Sequence, residues 1–370
     1  MTLRKVPFFN YPYLFKSHQE KFTEIFTDVC SRGAYILQKD CVEFEKNLAE
    51  FAGTKYAVGV ANGTDAIWLA LMAMGIQKGD EIIFASHTYI ATAASIHFVG
   101  GIPVPADCKS DHMIDPESVR KLITPKTKAI LPTQLNGRCC DMDALKSIAV
   151  EHNLMILEDA AQGLGAKYKG NGVGTFDKGG TISFYPAKNL GSFGDAGGFV
   201  TNDEEMYKKV SLLRDHGRNE EGEFVMWGFN SRIDNLQAAI LNYKLTYYGE
   251  EITRRREIAT MYQNLLGSTK QLLLPVAPEA DVDYFDVFQN YEVEAESRDE
   301  LKKYLTENGV GTLIQWSGQP VHGITSLGFD GKNCPYTDSM FEKCLMIPMN
   351  TSLTNEDVEY VARVIKSFYK

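Results

Sequence analysis

The stretch Leu154-Met155-Ile156-Leu157-Glu158-Asp159-Ala160-Ala161-Gln162 combines an apolar run with two adjacent carboxylates. Its four apolar residues are typical of a short buried strand. Ligands of parallel sheets bind beyond the carboxyl ends of the strands, so we expect Asp159 to face a binding site. Burying a carboxylate is costly unless it meets a cation or caps a helix, and this stretch alone leaves both interpretations open.

Further short apolar runs on both sides of this stretch alternate with segments of helical periodicity. The runs lie at residues 57–60, 81–85, 102–105 and 129–131, and the helical segments include 66–74 and 142–149. Short buried strands separated by helices are typical of a parallel sheet covered on both faces. The sequence therefore predicts an α/β fold with a mostly parallel central sheet flanked by helices.

The last third of the chain has a different pattern. A long helical pattern from residue 235 runs on into the charged segment 250–257, which we interpret as a bridge to a second domain. We predict a large α/β domain over residues 1–245, whose first 20 or so residues form an arm, and a small α+β domain over 246–370. Within the small domain we predict strands at 287–293 and 312–316 and a capping box of Ser297 and Glu300. We also predict a last helix, capped by Thr354 and Asp357, that reaches Ser367.

Composition excludes several classes of protein. The net charge of −10 and the isoelectric point near 5.3 argue against a nucleic-acid partner. Because no run approaches the roughly 18 apolar residues of a membrane span, we predict no membrane association and a cytoplasmic protein. The seven cysteines are odd in number and show no Cys-x-x-Cys spacing, so we predict neither a metal site nor a disulfide framework.

A lysine stands in a constrained loop in Ser183-Phe184-Tyr185-Pro186-Ala187-Lys188-Asn189-Leu190-Gly191. A lysine that forms a Schiff base needs a partly desolvated pocket in which its amine can be neutral and nucleophilic. A surface position is the usual alternative for a lysine. The motif is therefore a candidate for covalent chemistry only in combination with others.

The segment Asn62-Gly63-Thr64-Asp65 separates a predicted strand from a predicted helix. A glycine and a hydroxyl at a helix N-terminus offer backbone N–H groups to a phosphate. Plain helix capping by Thr64 or Asp65 is the alternative. The Gly-Lys-Ser/Thr ending of a P-loop is absent.

Taken together, these motifs resemble the DegT-type sugar aminotransferases of fold type I, the aspartate-aminotransferase-like class. The resemblance runs from about residue 33 to the end. It is densest at residues 63–66, 158–162, 183–191 and 230–239. It implies an aminotransferase that uses pyridoxal 5′-phosphate, with pyridoxamine phosphate as the intermediate form of the cofactor.

The resemblance also implies roles for individual residues. Lys188 would hold the cofactor as a Schiff base and move the proton, and Asp159 would pair with the pyridine nitrogen. The remaining cofactor contacts implied are Gln162 at the ring oxygen, Tyr89 stacked on the ring, Gly63, Thr64 and Ser183 at the phosphate, and Asn230 from a partner subunit. Such an asparagine implies a homodimer with shared active sites.

The substrate implied is a nucleotide-linked keto sugar, with L-glutamate as amino donor. The ending Lys188-Asn189-Leu190-Gly191 resembles enzymes that aminate C3, such as dTDP-3-keto-6-deoxyhexose 3-aminotransferases of deoxyamino sugar biosynthesis, including that of lipopolysaccharide O-antigen. Implied substrate contacts are Tyr185, Arg232, Trp316 and His322, although Trp316 could be core and His322 a structural hydrogen-bonder. Many relatives have His, Tyr and Gln where this chain has Gln134, Asn136 and Arg138, which leaves the detailed substrate contacts open.

Two other functions are compatible with parts of the pattern. A C4 aminotransferase of a UDP- or GDP-linked 4-keto sugar has the same fold. A non-catalytic sugar-nucleotide-binding or regulatory protein could also share it, although the intact Lys188 and Asp159 favour an enzyme. A nicotinamide dehydrogenase is disfavoured, because Gly170-x-Gly172-x-Gly174 lacks the last glycine of the dinucleotide motif.

Overall fold

The computed structural model describes residues 4–329 and 332–370, and these residues include fourteen strands. The strands are β1 (Tyr56–Val60), β2 (Glu81–Ala85), β3 (Ile102–Ala106), β4 (Thr127–Leu131), β5 (Met155–Ile156), β6 (Glu158–Asp159), β7 (Lys167–Tyr168), β8 (Asn171–Gly172), β9 (Gly180–Ser183), β10 (Gly197–Thr201), β11 (Leu272–Leu273), β12 (Tyr284–Phe285), β13 (Tyr291–Ala295) and β14 (Cys344–Ile347).

Thirteen α-helices lie in the same described ranges. They are α1 (Tyr11–Lys16), α2 (Gln19–Ser31), α3 (Lys39–Ala52), α4 (Gly63–Ala73), α5 (Ile90–Phe98), α6 (Pro116–Leu122), α7 (Met142–His152), α8 (Glu204–Arg214), α9 (Asn235–Leu245), α10 (Tyr248–Leu266), α11 (Arg298–Glu307), α12 (Pro335–Phe341) and α13 (Asn355–Phe368). None of the helices in these ranges is both long and apolar enough to cross a membrane.

The central sheet consists of two four-stranded ladders, β3-β2-β4-β5 and β6-β9-β10-β1. They meet where the backbone of Asp159 bonds to its neighbours: its N–H donates to Pro132 O at 2.9 Å, and its C=O accepts from Gln134 N at 2.8 Å. Only β10 runs antiparallel to its neighbours. The predicted α/β fold with a mostly parallel sheet is confirmed.

Both faces of this sheet are covered by apolar side chains. Along β2, Ile83 and Ala85 belong to one buried cluster, whereas Ile82 and Phe84 belong to another on the opposite face. Side chains alternate between faces with a period of two, so a strand that is apolar at every position must be buried on both sides. This explains the continuous apolar runs of the sequence.

The C-terminal part has its own antiparallel sheet, β11-β13-β14, and its own apolar core, to which α10, α11 and α13 contribute. The N-terminal arm reaches this core. Val6 is 1% exposed within it, and its backbone pairs with Val310 in a parallel bridge. Asn350 Nδ2 donates to the carbonyl oxygens of Pro7 and Phe8, both at 3.1 Å. The arm is therefore held by residues that lie about 300 positions later in the chain. The division at residue 245 stays a prediction.

Four local predictions are wrong. The strand predicted at 287–293 begins only at Tyr291, because Phe288 has a left-handed φ of 50°. Residues 312–316 form no strand, because Trp316 has φ of 51° and the chain turns at Gln315–Gly318. Ser297 does not cap α11 with its side chain, since its own φ of 51° is left-handed. The helical pattern from residue 235 is two helices, α9 and α10, interrupted after Leu245. By contrast, the capping box of Thr354 and Asp357 is present.

Candidate active site

A cavity of about 520 Å³ lies beyond the carboxyl end of β6. Nine of the residues predicted from the sequence line it: Gly63, Thr64, Tyr89, Asp159, Gln162, Ser183, Tyr185, Lys188 and Trp316. They come from the ends of strands, the first turn of α4, the N-cap of α5 and the loop after β9. The fold thus brings together residues that are more than 250 positions apart in the sequence.

Asp159 is the last residue of β6 and is 4% exposed. Its Oδ2 accepts from the Thr92 hydroxyl at 2.6 Å, and its Oδ1 accepts from Ala161 N at 3.2 Å. Burial raises the pKa of Asp159, against these two hydrogen bonds and the charge of Lys188. A protonated ring nitrogen beside it would favour the ionised carboxylate.

Lys188 lies in the loop between β9 and β10. Its backbone N–H donates to Tyr185 O at 2.8 Å, but within residues 4–329 and 332–370 its amine has neither an ion pair nor a hydrogen bond. Burial lowers the pKa of the Lys188 ammonium to about 8, and Asp159 opposes this shift. A near-neutral pKa and an unpaired amine are what a nucleophilic lysine requires.

Glu158 precedes Asp159, but its side chain is bonded within the fold and does not line the cavity. Its side chain is fully buried and accepts from Gln134 Nε2 at 2.7 Å and from the backbone N–H groups of Gly174 and Phe176. Burial raises the pKa of Glu158 to about 8. Gln134, one of the positions that depart from relatives, therefore supports the sheet and does not line the cavity.

Gln162 is oriented by a neighbour. The backbone N–H of Asn136 donates to its Oε1 at 2.8 Å, and Asn290 Nδ2 donates to the same oxygen at 3.3 Å. Because both partners are donors, the amide must present Oε1 to them. Its Nε2 is then left to donate into the cavity, which suits an anionic ring oxygen.

The opposite end of the cavity is formed by the N-terminus of α4. Asn62 is the N-cap and its Oδ1 accepts from Asp65 N at 2.8 Å, so capping by Thr64 or Asp65 is not what occurs. A Cβ at Gly63 would lie 2.8 Å from Ser183 Cβ, so only glycine allows this close approach. The first amides of a helix have no partner in their own helix and are suited to a phosphate.

Aromatic residues form one wall of the cavity. Tyr89 is the N-cap of α5 and is 56% exposed. Its ring centroid lies 5.4 Å from that of Trp316, which the left-handed turn at residues 315–318 directs to the cavity. Trp316 also packs against the main core. The wall is therefore exposed enough to stack on a planar ring.

Three predicted residues do not line the cavity of this chain. Asn230 is exposed and its backbone bridges Asp215. Arg232 Nη1 donates to Asp215 Oδ1 at 2.9 Å, in a partly buried ion pair within its own chain. His322 is 5% exposed and lies between the Ser86 hydroxyl and Asp338, so it contacts other residues of its own chain with both ring nitrogens. The prediction of a substrate contact at His322 has no support in this geometry.

Sequence reasoning missed several cavity residues. They are Phe9, Gln289, Asn290, Leu313, Gln315 and Met346. Their signal was absent from local motifs, because each lies in an irregular segment or in the C-terminal sheet. The difference from relatives at Asn136 indicated part of this region. Its Oδ1 accepts from both Asn290 and Gln315, at 2.9 Å and 2.6 Å.

A buried cluster of His87, His112 and Glu292 lies behind this polar layer. Glu292 Oε2 is 3.0 Å from His87 Nε2 and 3.0 Å from His112 Nδ1, and it accepts from Asn136 Nδ2 at 2.9 Å. The imidazoles hold the pKa of Glu292 below its usual range despite burial, and Glu292 and Glu294 raise the pKa of His112 to about 9. We interpret the cluster as a charged hydrogen-bond network.

The cavity satisfies the demands of pyridoxal phosphate at each point of the molecule. A helix N-terminus and Ser183 suit its phosphate, the amide of Gln162 its ring oxygen, Asp159 its ring nitrogen and the unpaired Lys188 its aldehyde. The fold and the site define a pyridoxal-phosphate-dependent enzyme of fold type I.

Comparison with known proteins identifies the family. Residues 16–366 match the DegT/DnrJ/EryC1/StrS aminotransferase family, to which the chain belongs. A "Pleiotropic regulatory protein" of Geobacillus stearothermophilus is 36% identical and covers 99% of both chains. The dTDP-3-amino-3,4,6-trideoxy-alpha-D-glucose transaminase of Streptomyces venezuelae is 37% identical over 94% of this chain and 92% of its own. The crystal structure of S. venezuelae DesV in complex with a ketimine intermediate superposes with a TM-score of 0.94, at 34% identity and 99% coverage of both chains.

Proposed function

We propose that the protein transfers an amino group from L-glutamate to the keto group at C3 of a nucleotide-linked keto-deoxysugar, such as a dTDP-3-keto-6-deoxyhexose. The observation that carries the transfer chemistry is the convergence of an unpaired Lys188 and a buried Asp159 in one cavity. The 3-amino-sugar transaminase from S. venezuelae supports the choice of C3.

Each residue of the cavity has a proposed task. Bound pyridoxal phosphate supplies an electron sink for the carbanion that forms next to the substrate nitrogen. Lys188 would take the proton from the donor carbon and return it two bonds away, at the cofactor carbon on the other side of the nitrogen, which its lowered pKa favours. Asp159 holds the proton on the ring nitrogen, and Gln162 Nε2 donates to the ring oxygen. Gly63, Thr64 and Ser183 fix the phosphate, and Tyr89 the ring plane.

The sugar lies against the open side of the cavity in this proposal. Tyr185 is 52% exposed there and Trp316 forms the adjoining wall, so both are proposed substrate contacts. Aromatic faces pack well against the apolar faces of sugar rings and nucleobases. The proposal leaves His322 out.

The test is an amination screen of the purified protein with glutamate against dTDP-, UDP- and GDP-linked 3-keto and 4-keto sugars, with Lys188→Ala as control. The expected result is an amino sugar formed fastest from a dTDP-linked 3-keto sugar and lost in the control. Preferential amination of a UDP- or GDP-linked 4-keto sugar would establish the C4 alternative instead.

A regulatory role without catalysis is the second candidate, since the Geobacillus relative bears a regulatory name. One measurement distinguishes the enzyme from the regulatory protein. An enzyme changes its visible absorbance when glutamate converts the bound cofactor to its amine form. A protein that binds cofactor and sugar nucleotide, yet shows this change neither with glutamate nor with any other amino acid, would be a regulatory member of the family.

We further propose that the protein is cytoplasmic. We also propose that it forms a homodimer in which each active site contains residues of both subunits. A hairpin around residues 215–230 supports the dimer, because Trp227 is 94% exposed and Phe224 is 73% exposed next to Asn230. Large exposed apolar patches commonly mark interfaces. Asn230 of this hairpin would reach the cofactor phosphate of the second subunit, and Arg232 would lie near that site.

Mixed dimers test the sharing of residues. Lys188→Ala subunits and subunits with a disabling Asn230 substitution are combined after tag pull-down has shown that subunits exchange. If Asn230 serves the partner, one site of a mixed dimer carries both lesions and the other neither, so activity partly returns. No return despite exchange would place Asn230 in its own subunit's site or outside both sites.

A further inference from the structure

Gln289 spans the two peptide groups on either side of Lys188. Its Nε2 donates to Ala187 O at 2.8 Å, and its Oε1 accepts from Asn189 N at 2.7 Å. The residue is 7% exposed and lines the cavity. A single side-chain amide thus pairs with the backbone before and after Lys188 as a neighbouring strand would.

The segment that carries Gln289 is itself fixed. Phe288 has a left-handed φ of 50°, and Val287 N donates to Gly137 O at 2.8 Å. A Cβ at Gly137 would lie 2.7 Å from Gln289 N, so the two backbones are in close contact. The next residue, Asn290, donates to Gln162 Oε1 at 3.3 Å. Residues 287–290 therefore contact both the backbone on either side of Lys188 and the side chain of Gln162.

Other anchors hold the ends of the same loop at a distance from the lysine. Ser192 Oγ donates to Phe184 O at 2.7 Å, and Lys244 Nζ donates to Gly191 O at 2.5 Å. They fix the start and the end of the loop, whereas Gln289 fixes the two peptides that determine where the side chain of Lys188 starts. Loss of Gln289 would leave the loop in place but the lysine less constrained.

We infer that Gln289 is a positioning residue for Lys188. The amine of Lys188 has no partner of its own in the described part of the chain, so its position depends on its backbone. Removal of the amide leaves the carbonyl of Ala187 and the N–H of Asn189 without their partner, and they are then satisfied by shifts or by water. This inference rests on the proposed transamination, in which the reacting atoms must be held within a fraction of an ångström.

The test uses the Gln289→Met holoenzyme, because methionine keeps the volume and removes both bonds. The single-turnover rate of the reaction with glutamate is expected to fall about 10- to 100-fold, with little change in the glutamate concentration for half-maximal rate. The visible circular dichroism of the bound cofactor, divided by its absorbance, is expected to change. Gln289→Glu should also be slow, because a carboxylate cannot donate to Ala187 O.

Gln263→Ala is the matched control, since its Nε2 donates to Pro275 O at 2.6 Å away from the cavity. It should lower the Tm without changing the rate or the dichroism ratio. An unchanged rate in Gln289→Met, or a rate that falls only with the amount of bound cofactor at an unchanged dichroism ratio, would overturn the inference. If the wild type fails to react with glutamate, the proposed donor is wrong, and the dichroism ratio still decides the role of Gln289.

Discussion

The cofactor cavity and the His87–His112–Glu292 cluster both contain charged groups, yet they differ in whether the charged group is paired within the protein. In the cavity, the amine of Lys188 has no partner among the described residues, and Gln162 presents a free donor. In the cluster, one oxygen of Glu292 accepts from three N–H groups.

This difference separates catalysis from stability. A group kept unpaired in a buried site lowers stability and is available to a ligand, whereas a paired charge resists removal because its partner would be left alone. Substitutions in the cavity should therefore change rates more than stability, and substitutions in the cluster should do the reverse.

Lys188→Ala should give the largest effect. Turnover with glutamate and a keto sugar is expected to fall by about ten-thousandfold or more, because both the covalent link and the proton carrier are lost. The Tm of the cofactor-free variant should equal or exceed that of the cofactor-free wild type, since a partly desolvated amine without a partner among the described residues is removed. In the wild type, borohydride should fix the cofactor to the peptide that contains Lys188. Labelling of another lysine would refute the assignment.

Glu292→Gln tests the opposite side of the comparison. Loss of the charge between two imidazoles is expected to lower the free energy of unfolding by about 3 kcal/mol, measured by urea denaturation. Glu294→Gln, on the same strand but more exposed, is the control and should cost less. A rate per folded molecule that falls further than in Asp159→Asn would contradict a mainly structural cluster.

Asp159→Asn should slow turnover about ten- to hundredfold, the equivalent of one charge-assisted hydrogen bond. Without the carboxylate, the pKa of the ring nitrogen falls and the electron sink weakens. Glu158→Gln is a close control: its carboxyl has a pKa near 8 and faces the sheet, so it should leave the rate nearly unchanged at pH 7. Equal rates in wild type and Asp159→Asn would eliminate the proposed role.

The pH dependence of stability tests whether His112 of the cluster is charged. The folded pKa of His112, about 9, lies above its ordinary value of 6.5, so its stabilisation is complete below pH 6.5 and is lost as the pH rises to about 9. The difference in unfolding free energy between wild type and His112→Gln should therefore shrink across this range, by at most about 1.4 kcal/mol per pH unit. Lys188 and Glu158 titrate in the same range in both proteins and cancel in the difference. A flat difference curve would show that His112 is not charged.

The sequence predicted the parts of the site that belong to strand ends and local motifs. Asp159 follows an apolar run and Lys188 lies two residues after a proline, and both of these signals are local in the sequence. The resemblance to aminotransferases then assigned their roles, and the cavity contains both.

What the sequence could not predict depends on long-range contacts. Gln289 bonds to residues about 100 positions away and carries no local signal. Trp316 ends an apolar-looking run, but it and Ser317 adopt left-handed conformations that no periodicity reveals. The helical pattern from residue 235 was correct in type, yet the break between Leu245 and Tyr248 was not predicted.

The N-terminal arm also constrains the order in which this protein can be completed during synthesis. Val6 leaves the ribosome long before Val310, its backbone partner, and before Asn350, which bonds the next residues. At about 5–20 residues per second, the arm waits roughly 15–60 s for Val310 to be synthesised. Phe9 of this arm lines the cavity, so the active site is among the last parts of a nascent chain to close.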